Sequence, residues 1–136
     1  MPEKIMHILV VDDEPAICWL FESVLQPLGY TVTTTASGLE GLRLWNETYH
    51  GLVFIDSLLP DARGIEVAAY IRQRRPETAI VLISGSRYDQ DELAAAGLQE
   101  NQLTIFLPKP FNLNEMRTIA GQVATRNSHP STLPMT

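Results

Sequence analysis

Short apolar runs alternate along the chain with longer segments in which apolar residues recur at helical spacing. Five runs have the length and the branched aliphatic content of β-strands. They cover about 5–11, 31–36, 51–56, 79–83 and 105–107. The first is almost continuously apolar, which is typical of a strand that is covered on both faces.

A helical pattern follows each of these runs. Pro15 stands where the first turn of a helix tolerates proline, and Gly29 is placed to end that helix. Ser37 and Asn112 are suited to cap the second and the last helix, and Pro76 closes the third. The predicted helices cover about 15–28, 38–50, 64–75, 89–96 and 113–126.

Five strands separated by five helices predict an α/β fold with a doubly wound, five-stranded parallel sheet. Right-handed crossover connections place the helices on both faces of such a sheet. Ligands of these folds bind beyond the carboxyl ends of the strands, near the point where the strand order reverses. We therefore expect the functional residues at that edge.

Length and composition favour one soluble domain. The chain has 136 residues, and we assign 1–126 to the domain and 127–136 to a polar tail that is typical of a mobile end. Cys18 is the single cysteine, which excludes an internal disulfide and a multi-cysteine metal site. The sequence has neither a secretory signal nor an apolar run of about 20 residues. We therefore expect a cytoplasmic protein without membrane contact.

The charge of the chain argues against a nucleic-acid partner. The net charge is −6, whereas a general nucleic-acid surface needs clustered Lys and Arg. The nearest basic cluster comprises Arg72, Arg74 and Arg75, at the end of a predicted helix. Cations at that position complement the helix dipole.

Polar residues stand where four of the predicted strands end. Asp12, Asp13 and Glu14 follow the first strand. The other ends carry Asp56, Ser84 and Lys109. Each has an ordinary explanation alone, because acids commonly cap helices and Asp is a frequent turn residue. Their combination at one edge favours a site instead, and Mg²⁺ is the cation that such a carboxylate group suits.

These motifs together resemble those of response-regulator receiver domains. They are Val10-Val11-Asp12-Asp13-Glu14-Pro15, Asp56 with Pro60 and Gly64, Ser84-Gly85, and Lys109-Pro110-Phe111. The similarity extends from residue 4 to about 126. It implies a flavodoxin-like sheet with the strand order 2-1-3-4-5 and a role in two-component signal transduction.

The resemblance assigns a chemical role to each motif. Asp56 would accept a phosphoryl group from a phosphohistidine of a histidine kinase or a histidine phosphotransfer protein. Asp13, Asp56 and the backbone carbonyl of Leu58 would hold Mg²⁺, with Asp12 acting largely through water. Lys109 would pair with a phosphoryl oxygen. The family catalyses its own Mg²⁺-dependent aspartyl phosphorylation and dephosphorylation, so the chain would be a signalling switch and not a turnover enzyme.

The family also implies a conformational switch. Ser84 would hydrogen-bond the phosphoryl group, and Phe106 would rotate into the space that Ser84 vacates. The repacked surface of the fourth helix, fifth strand and fifth helix would then bind a downstream target protein. The resemblance does not identify that target, and it leaves a homodimer open. Phe106 as an ordinary core residue is the alternative interpretation.

Two other functions compete with this interpretation. One is a protein-interaction scaffold of the same fold that is never phosphorylated, and the intact set of acids, Ser84 and Lys109 argues against it. The other is a flavodoxin-like nucleotide binder or a phosphatase. Nucleotide binding favours a phosphate loop after the first strand, where this chain has three acids instead. A haloacid-dehalogenase phosphatase would need a second Asp at position 14, which is Glu.

Three features are not explained by the motifs. Trp19 lies opposite the apolar stripe of the first helix, where it is either an ordinary exposed residue or a docking contact for the phosphoryl donor. Residues 98–104 look like added length near the expected output surface. His7, His50 and His129 have no metal-ligand spacing, and we expect them at the surface or at strand ends.

Overall fold

The structure, a computed structural model that describes residues 5–128, contains one parallel sheet of five strands. The order β2-β1-β3-β4-β5 confirms the predicted doubly wound fold. The strands are β1 (His7–Val11), β2 (Thr31–Thr35), β3 (Leu52–Asp56), β4 (Ala79–Ser84) and β5 (Thr104–Pro108). All residues of β3 and β4 are buried, as their apolar sequences require.

Five α-helices cover the two faces of the sheet. They are α1 (Pro15–Leu25), α2 (Gly38–Glu47), α3 (Gly64–Arg74), α4 (Gln90–Ala95) and α5 (Leu113–Ser128). Alternate strand residues point to opposite faces. One set packs with α1 and α5, and the other packs with α2, α3 and α4. Within the described residues, no helix is both long and apolar enough to cross a membrane.

Local signals at the helix ends act as predicted. The Ser37 hydroxyl accepts the amide of Glu40 at 3.0 Å. At the start of α5, Asn112 accepts the amide of Glu115 while Glu115 accepts that of Asn112, both at 2.9 Å. These bonds satisfy amide groups that the first turn of a helix leaves free.

Several boundaries differ from the predicted ones. The first strand begins at His7 instead of Ile5, whose side chain is exposed. The first helix ends at Leu25, and a single 3₁₀ turn (Gln26–Leu28) precedes Gly29, whose φ of 101° is left-handed. The last helix includes residues 127 and 128, and the rest of the predicted tail, with His129, lies outside the described residues.

The added length before β5 is anchored to the body of the protein. Leu98 is fully buried in the core on the α2–α4 face. The side-chain oxygen of Asn101 accepts the amides of Leu103 and Thr104 at 2.7 and 3.0 Å. Arg126 donates to the carbonyl of Gln102 at 2.9 Å. The extra residues therefore form a turn that is tied to both β5 and α5.

The three arginines at the end of α3 all contact the protein itself. Arg72 donates hydrogen bonds to the carbonyls of Thr78 and Leu103, at 2.6 and 2.7 Å. The guanidinium of Arg74 lies over the ring of Tyr70, and that of Arg75 lies over the rings of Trp45 and Tyr49. The trio thus has packing roles in addition to the helix-dipole role that the sequence predicts.

Of the two locations predicted for His50, the surface or a strand end, the structure shows the second. His50 precedes β3, is only 2% exposed, and packs edge-on against the ring of His7 at a centroid distance of 6.4 Å. Trp19 in α1 is 64% exposed, as its position opposite the apolar stripe predicts.

Candidate functional site

The register of the sheet brings the polar strand ends to one edge. Val11 pairs with Ile55, so the next residue of each strand, Asp12 and Asp56, lies at the junction of β1 and β3. Ser84 ends β4, and Lys109 follows β5. β1 and β3 adjoin where the strand order reverses, which is the ligand-binding position of doubly wound sheets.

Three carboxylates form a compact group at this junction. One oxygen from each of Asp12, Asp13 and Asp56 lies within 4.8 Å of the others. Asp12 and Asp56 are buried, whereas Asp13 is exposed. Burial raises the pKa of Asp12 to about 6, the Glu14 amide that it accepts acts to lower it, and the charge of Asp56 raises it further. Nearby carboxylates repel one another when they are ionised, so a cation placed among them would stabilise the group.

The donor set fits a hard divalent cation. Oδ1 of Asp12 accepts the amide of Glu14 at 2.9 Å, whereas the buried Oδ2 has no hydrogen-bond partner among the described residues. A buried, unpaired carboxylate oxygen beside two further carboxylates matches the oxygen ligands that Mg²⁺ prefers, directly or through its waters. The geometry thus agrees with a Mg²⁺ site at Asp12, Asp13 and Asp56.

Lys109 reaches the same group from the end of β5. Its Nζ lies 3.1 Å from Oδ1 of Asp56 and 2.8 Å from Oε1 of Glu14. Burial acts to lower the pKa of Lys109, but hydrogen bonds to Glu14 and Asp56 outweigh that effect and raise the pKa. The amine is therefore a permanent cation beside Asp56. The Lys109–Pro110 peptide bond is cis.

Serine hydroxyl groups follow Asp56 at the end of β3 and end β4. The Ser57 hydroxyl donates to that of Ser84 at 3.1 Å, and the Ser86 amide also donates to the Ser84 oxygen at 3.1 Å. The amide of Ser57 donates to the carbonyl of Ile83 at 2.8 Å. Ser84 therefore lies next to the acid group but keeps its partners within the loops that follow β3 and β4.

The loop between β3 and α3 is held at both of its ends. A Cβ on Gly64 would lie 2.1 Å from the carbonyl oxygen of Asp56, so a larger residue at this close contact would displace the backbone of Asp56. In the middle of the loop, the Asp61 carboxylate accepts the Ser37 hydroxyl and the amides of Gly38 and Leu39, at 2.7 to 3.0 Å. These contacts fix the chain on the carboxyl side of Asp56.

Leu58 and Phe106 are the remaining residues that the sequence predicts for the site and its switch. Leu58 lies two residues after Asp56, and its side chain is 74% exposed. Its backbone carbonyl remains a predicted metal ligand. Phe106 is half-buried in β5, and its ring packs against that of Tyr88.

The sequence did not assign roles to Glu14, Ser57 or Tyr88. Glu14 and Ser57 are direct neighbours of predicted site residues, and that adjacency was the available signal. Tyr88 lies in the loop after β4, and no motif points to it. Its placement depends on the conformation of that loop.

Comparison with known proteins agrees with this geometry. Residues 8–120 match the model of the family described as response regulator receiver domain. The cell cycle transcriptional regulator CtrA of Caulobacter vibrioides is 33% identical over 112 residues, which are 82% of this chain and 47% of the relative. The chain spans about half the length or less of the curated relatives it matches.

Solved structures include the same fold. A CheY-like receiver domain protein from Methanospirillum hungatei aligns with a TM-score of 0.80 at 24% identity, covering 93% of this chain and all of that one. TrrA of Thermotoga maritima, solved in complex with Mg²⁺ and beryllium fluoride, aligns with a TM-score of 0.74 at 31% identity, covering 88% and 99%. Taken with the family match over residues 8–120, the chain belongs to the response regulator receiver domain family of two-component systems.

Proposed function

We propose that the chain is a phosphorelay receiver that accepts a phosphoryl group on Asp56 and responds by changing its partner-binding surface. The observation that carries the proposal is the buried group of Asp12 and Asp56 with Asp13, in which Lys109 contacts Asp56 at 3.1 Å. An anionic phosphoryl group can approach a carboxylate only if positive charge is fixed between them.

The residues of the chain divide the work of the transfer. An oxygen of Asp56 attacks phosphorus, and the bond from phosphorus to the histidine nitrogen of the donor breaks as the new P–O bond forms. Lys109 contacts Asp56 and is placed to pair with a phosphoryl oxygen. Mg²⁺ bound by Asp12, Asp13, Asp56 and the Leu58 carbonyl would neutralise charge on the oxygens around phosphorus.

The donor would be a histidine kinase or a histidine phosphotransfer protein. The exposed ring of Trp19 in α1 is a candidate contact for it, since aromatic residues anchor many interfaces. The switch would begin at Ser84, whose hydroxyl turns to the phosphoryl group, and would continue at Phe106. A target protein that binds the surface of α4, β5 and α5 would read the result.

The relatives are named as transcriptional regulators, and each is more than twice as long as the segment that matches this chain. The target could therefore act in transcriptional control.

A scaffold that is never phosphorylated would have no need of an unpaired buried carboxylate oxygen at Asp12. This observation favours the phosphorylated receiver over the scaffold.

Intact mass spectrometry after incubation with Mg²⁺ and acetyl phosphate tests the proposal. We expect one phosphoryl adduct that disappears with EDTA and with Asp56→Asn. Asp61→Asn is the matched control, because Asp61 lies in the same loop but caps α2, and it should retain the adduct. A wild-type chain that forms no adduct, or an Asp56→Asn variant that still forms one, would contradict the proposal.

A further inference from the structure

Tyr88 connects the predicted phosphorylation site with Phe106. It lies in the loop between β4 and α4, four residues after Ser84, and its side chain is half-buried. Its hydroxyl donates a hydrogen bond to the carbonyl of Ile83 at 3.2 Å. Its ring packs on that of Phe106, with a centroid distance of 5.6 Å and a tilt of 38°.

The hydroxyl of Tyr88 shares its acceptor with the residue next to Asp56. The carbonyl of Ile83 accepts both the Tyr88 hydroxyl and, at 2.8 Å, the amide of Ser57. Burial raises the pKa of Tyr88 to about 12, and side-chain hydrogen bonding from Ser57 and Ser84 acts to lower it. The phenol is therefore a neutral hydrogen-bond donor at neutral pH.

The ring of Tyr88 lines the same groove as Ser84 and Phe106, the two predicted switch residues. Ser84, Tyr88 and Phe106 together line a groove of about 550 Å³ between the β4–α4 loop and β5. Because Ser84 lines this groove, a displacement of Ser84 toward Asp56 would change its shape. Phe106 has no hydroxyl group, so Tyr88 contributes the phenolic hydroxyl among the residues that line the groove.

We propose that Tyr88 is a positioning residue that restrains Ser84 and the end of β4 in the unphosphorylated arrangement and transmits the movement of Ser84 to Phe106. This inference rests on the proposed phosphorylation of Asp56. The hydroxyl provides the restraint through Ile83. The ring provides the transmission through its contact with Phe106.

The two parts of Tyr88 have separable consequences. A bond that exists only in the unphosphorylated arrangement stabilises that arrangement against the active one. Removing it shifts the equilibrium toward the active form, which raises the affinity for a phosphoryl mimic by the same factor. One neutral hydrogen bond corresponds to a change of about two- to ten-fold.

Calorimetric titration with beryllofluoride in the presence of Mg²⁺ tests the restraint. Tyr88→Phe keeps the ring and removes the hydroxyl, and we expect it to bind beryllofluoride about two- to ten-fold more tightly than wild type. Tyr70→Phe is the matched control. Tyr70 lies in α3 and packs against Trp45 and Arg74, so this change should leave the affinity at the wild-type value.

Nuclear magnetic resonance of the Phe106 amide tests the transmission. Beryllofluoride should shift this resonance in wild type and in Tyr88→Phe, which keeps the aromatic contact. In Tyr88→Leu the shift should fall to less than about half, because the ring is gone while an apolar side chain still fills the space. A residue that only supports folding would lower stability in both variants without changing affinity or the Phe106 response.

The outcomes separate this inference from the function on which it rests. If wild type binds no beryllofluoride, both the proposed function and the role of Tyr88 are overturned. If wild type binds it but Tyr88→Phe has wild-type or weaker affinity, the restraint is overturned alone. An undiminished Phe106 shift in Tyr88→Leu overturns the transmission.

Discussion

The Asp12 carboxyl is fully buried, and only one of its oxygens has a hydrogen-bond partner among the described residues. Burial raises its pKa from 3.8 to about 6. A carboxyl group whose pKa is higher in the folded than in the unfolded chain contributes stability at pH values below the unfolded pKa. This stability is lost as the pH rises through the folded pKa. At neutral pH the ionised Asp12 therefore destabilises the metal-free fold.

Asp12→Asn should have opposite effects on stability and on metal binding. In EDTA at pH 7.5, we expect the variant to unfold with a free energy about 1–2 kcal/mol higher than wild type, because a buried charge is gone. Added Mg²⁺ should stabilise wild type more than the variant. Urea denaturation with and without Mg²⁺ measures both. A variant that is less stable than wild type in EDTA would contradict this reasoning.

The Lys109 amine is the cationic side chain of the site, and it contacts the carboxylates of both Asp56 and Glu14. Lys109→Met keeps an unbranched apolar side chain of nearly the same length and removes the charged amine. We expect the initial rate of phosphoryl incorporation from acetyl phosphate to fall about 100-fold, as when one preorganised donor is deleted from an active site. Arg117→Met removes an exposed cation of α5 and serves as the control. A Lys109→Met rate within about three-fold of wild type would oppose the assigned role.

At the residue scale, the sequence predicts the polar groups at the strand ends and misses their lateral contacts. Asp12, Asp56 and Lys109 each directly follow, or end, an apolar run, so a parallel sheet fixes their common edge. Tyr88 meets Phe106 through a loop conformation that no periodicity encodes. His50 is buried and packs against His7, and the apolar pattern predicts neither its burial nor this contact.

At the scale of elements, Arg72 ties α3 to the strands that follow it. Its guanidinium donates to the carbonyls of Pro76, Thr78 and Leu103 and to the hydroxyl of Thr104, at 2.6 to 2.9 Å. Burial lowers its pKa, although Arg remains protonated at any working pH. The beginnings of β4 and β5 are thus joined by one side chain.

Arg72→Met should destabilise the fold by about 2–4 kcal/mol, because it removes four hydrogen bonds from a charged donor, three of them partly buried. Arg74→Met is the matched control two residues along the same helix. Arg74 is exposed and lies over Tyr70, so its loss should change stability by less than about 0.5 kcal/mol. Urea unfolding of both variants gives the comparison. Equal losses would show that the Arg72 hydrogen bonds contribute little.

The number, type and order of the elements follow from the sequence pattern better than their ends. The apolar runs of β3 and β4 have little alternative to burial in a parallel sheet. The fourth helix is shorter than predicted, because the αR residue Ala96 ends it and Gly97 follows with a φ of 76°. Leu98 then turns into the core, which explains why the added residues belong to the packed structure.

At the scale of the whole molecule, His50 links stability to pH. Burial lowers its pKa from 6.5, and the nearby His7 lowers it further. A histidine whose pKa is lower in the folded than in the unfolded chain contributes stability at pH values above the unfolded pKa. This stability is lost as the pH falls through the folded pKa. The Asp12 effect has the opposite sign over part of the same range, so a comparison of variants is needed to separate the two.

His50→Gln should therefore lose less stability than wild type between pH 7.5 and pH 5.5. Urea unfolding at the two pH values, in EDTA, gives the difference for each protein. Because Asp12 is present in both, its contribution cancels when the two differences are subtracted. A His50→Gln variant with the same or a larger loss would show that His50 is not the titrating group.

Most of the chain corresponds to part of longer relatives. The segment aligned with CtrA covers 82% of this chain and 47% of CtrA, and the receiver domain family match ends at residue 120. The site lies entirely in the matched part, and the proposed output surface lies there except for the second half of α5. If α4, β5 and α5 form the output surface as proposed, we expect their surface residues, which the family motifs do not constrain, to select the target protein.

Borohydride trapping of the phosphorylated chain tests the central proposal most directly. Borohydride reduces an aspartyl phosphate to homoserine, which marks the acceptor permanently and can be located by peptide mass spectrometry. After incubation with acetyl phosphate and Mg²⁺, we expect homoserine at position 56 and none at Asp12, Asp13 or Asp61. Homoserine at one of those positions, or at no position in a chain that carries a phosphoryl adduct, would contradict the assignment of Asp56 as the acceptor.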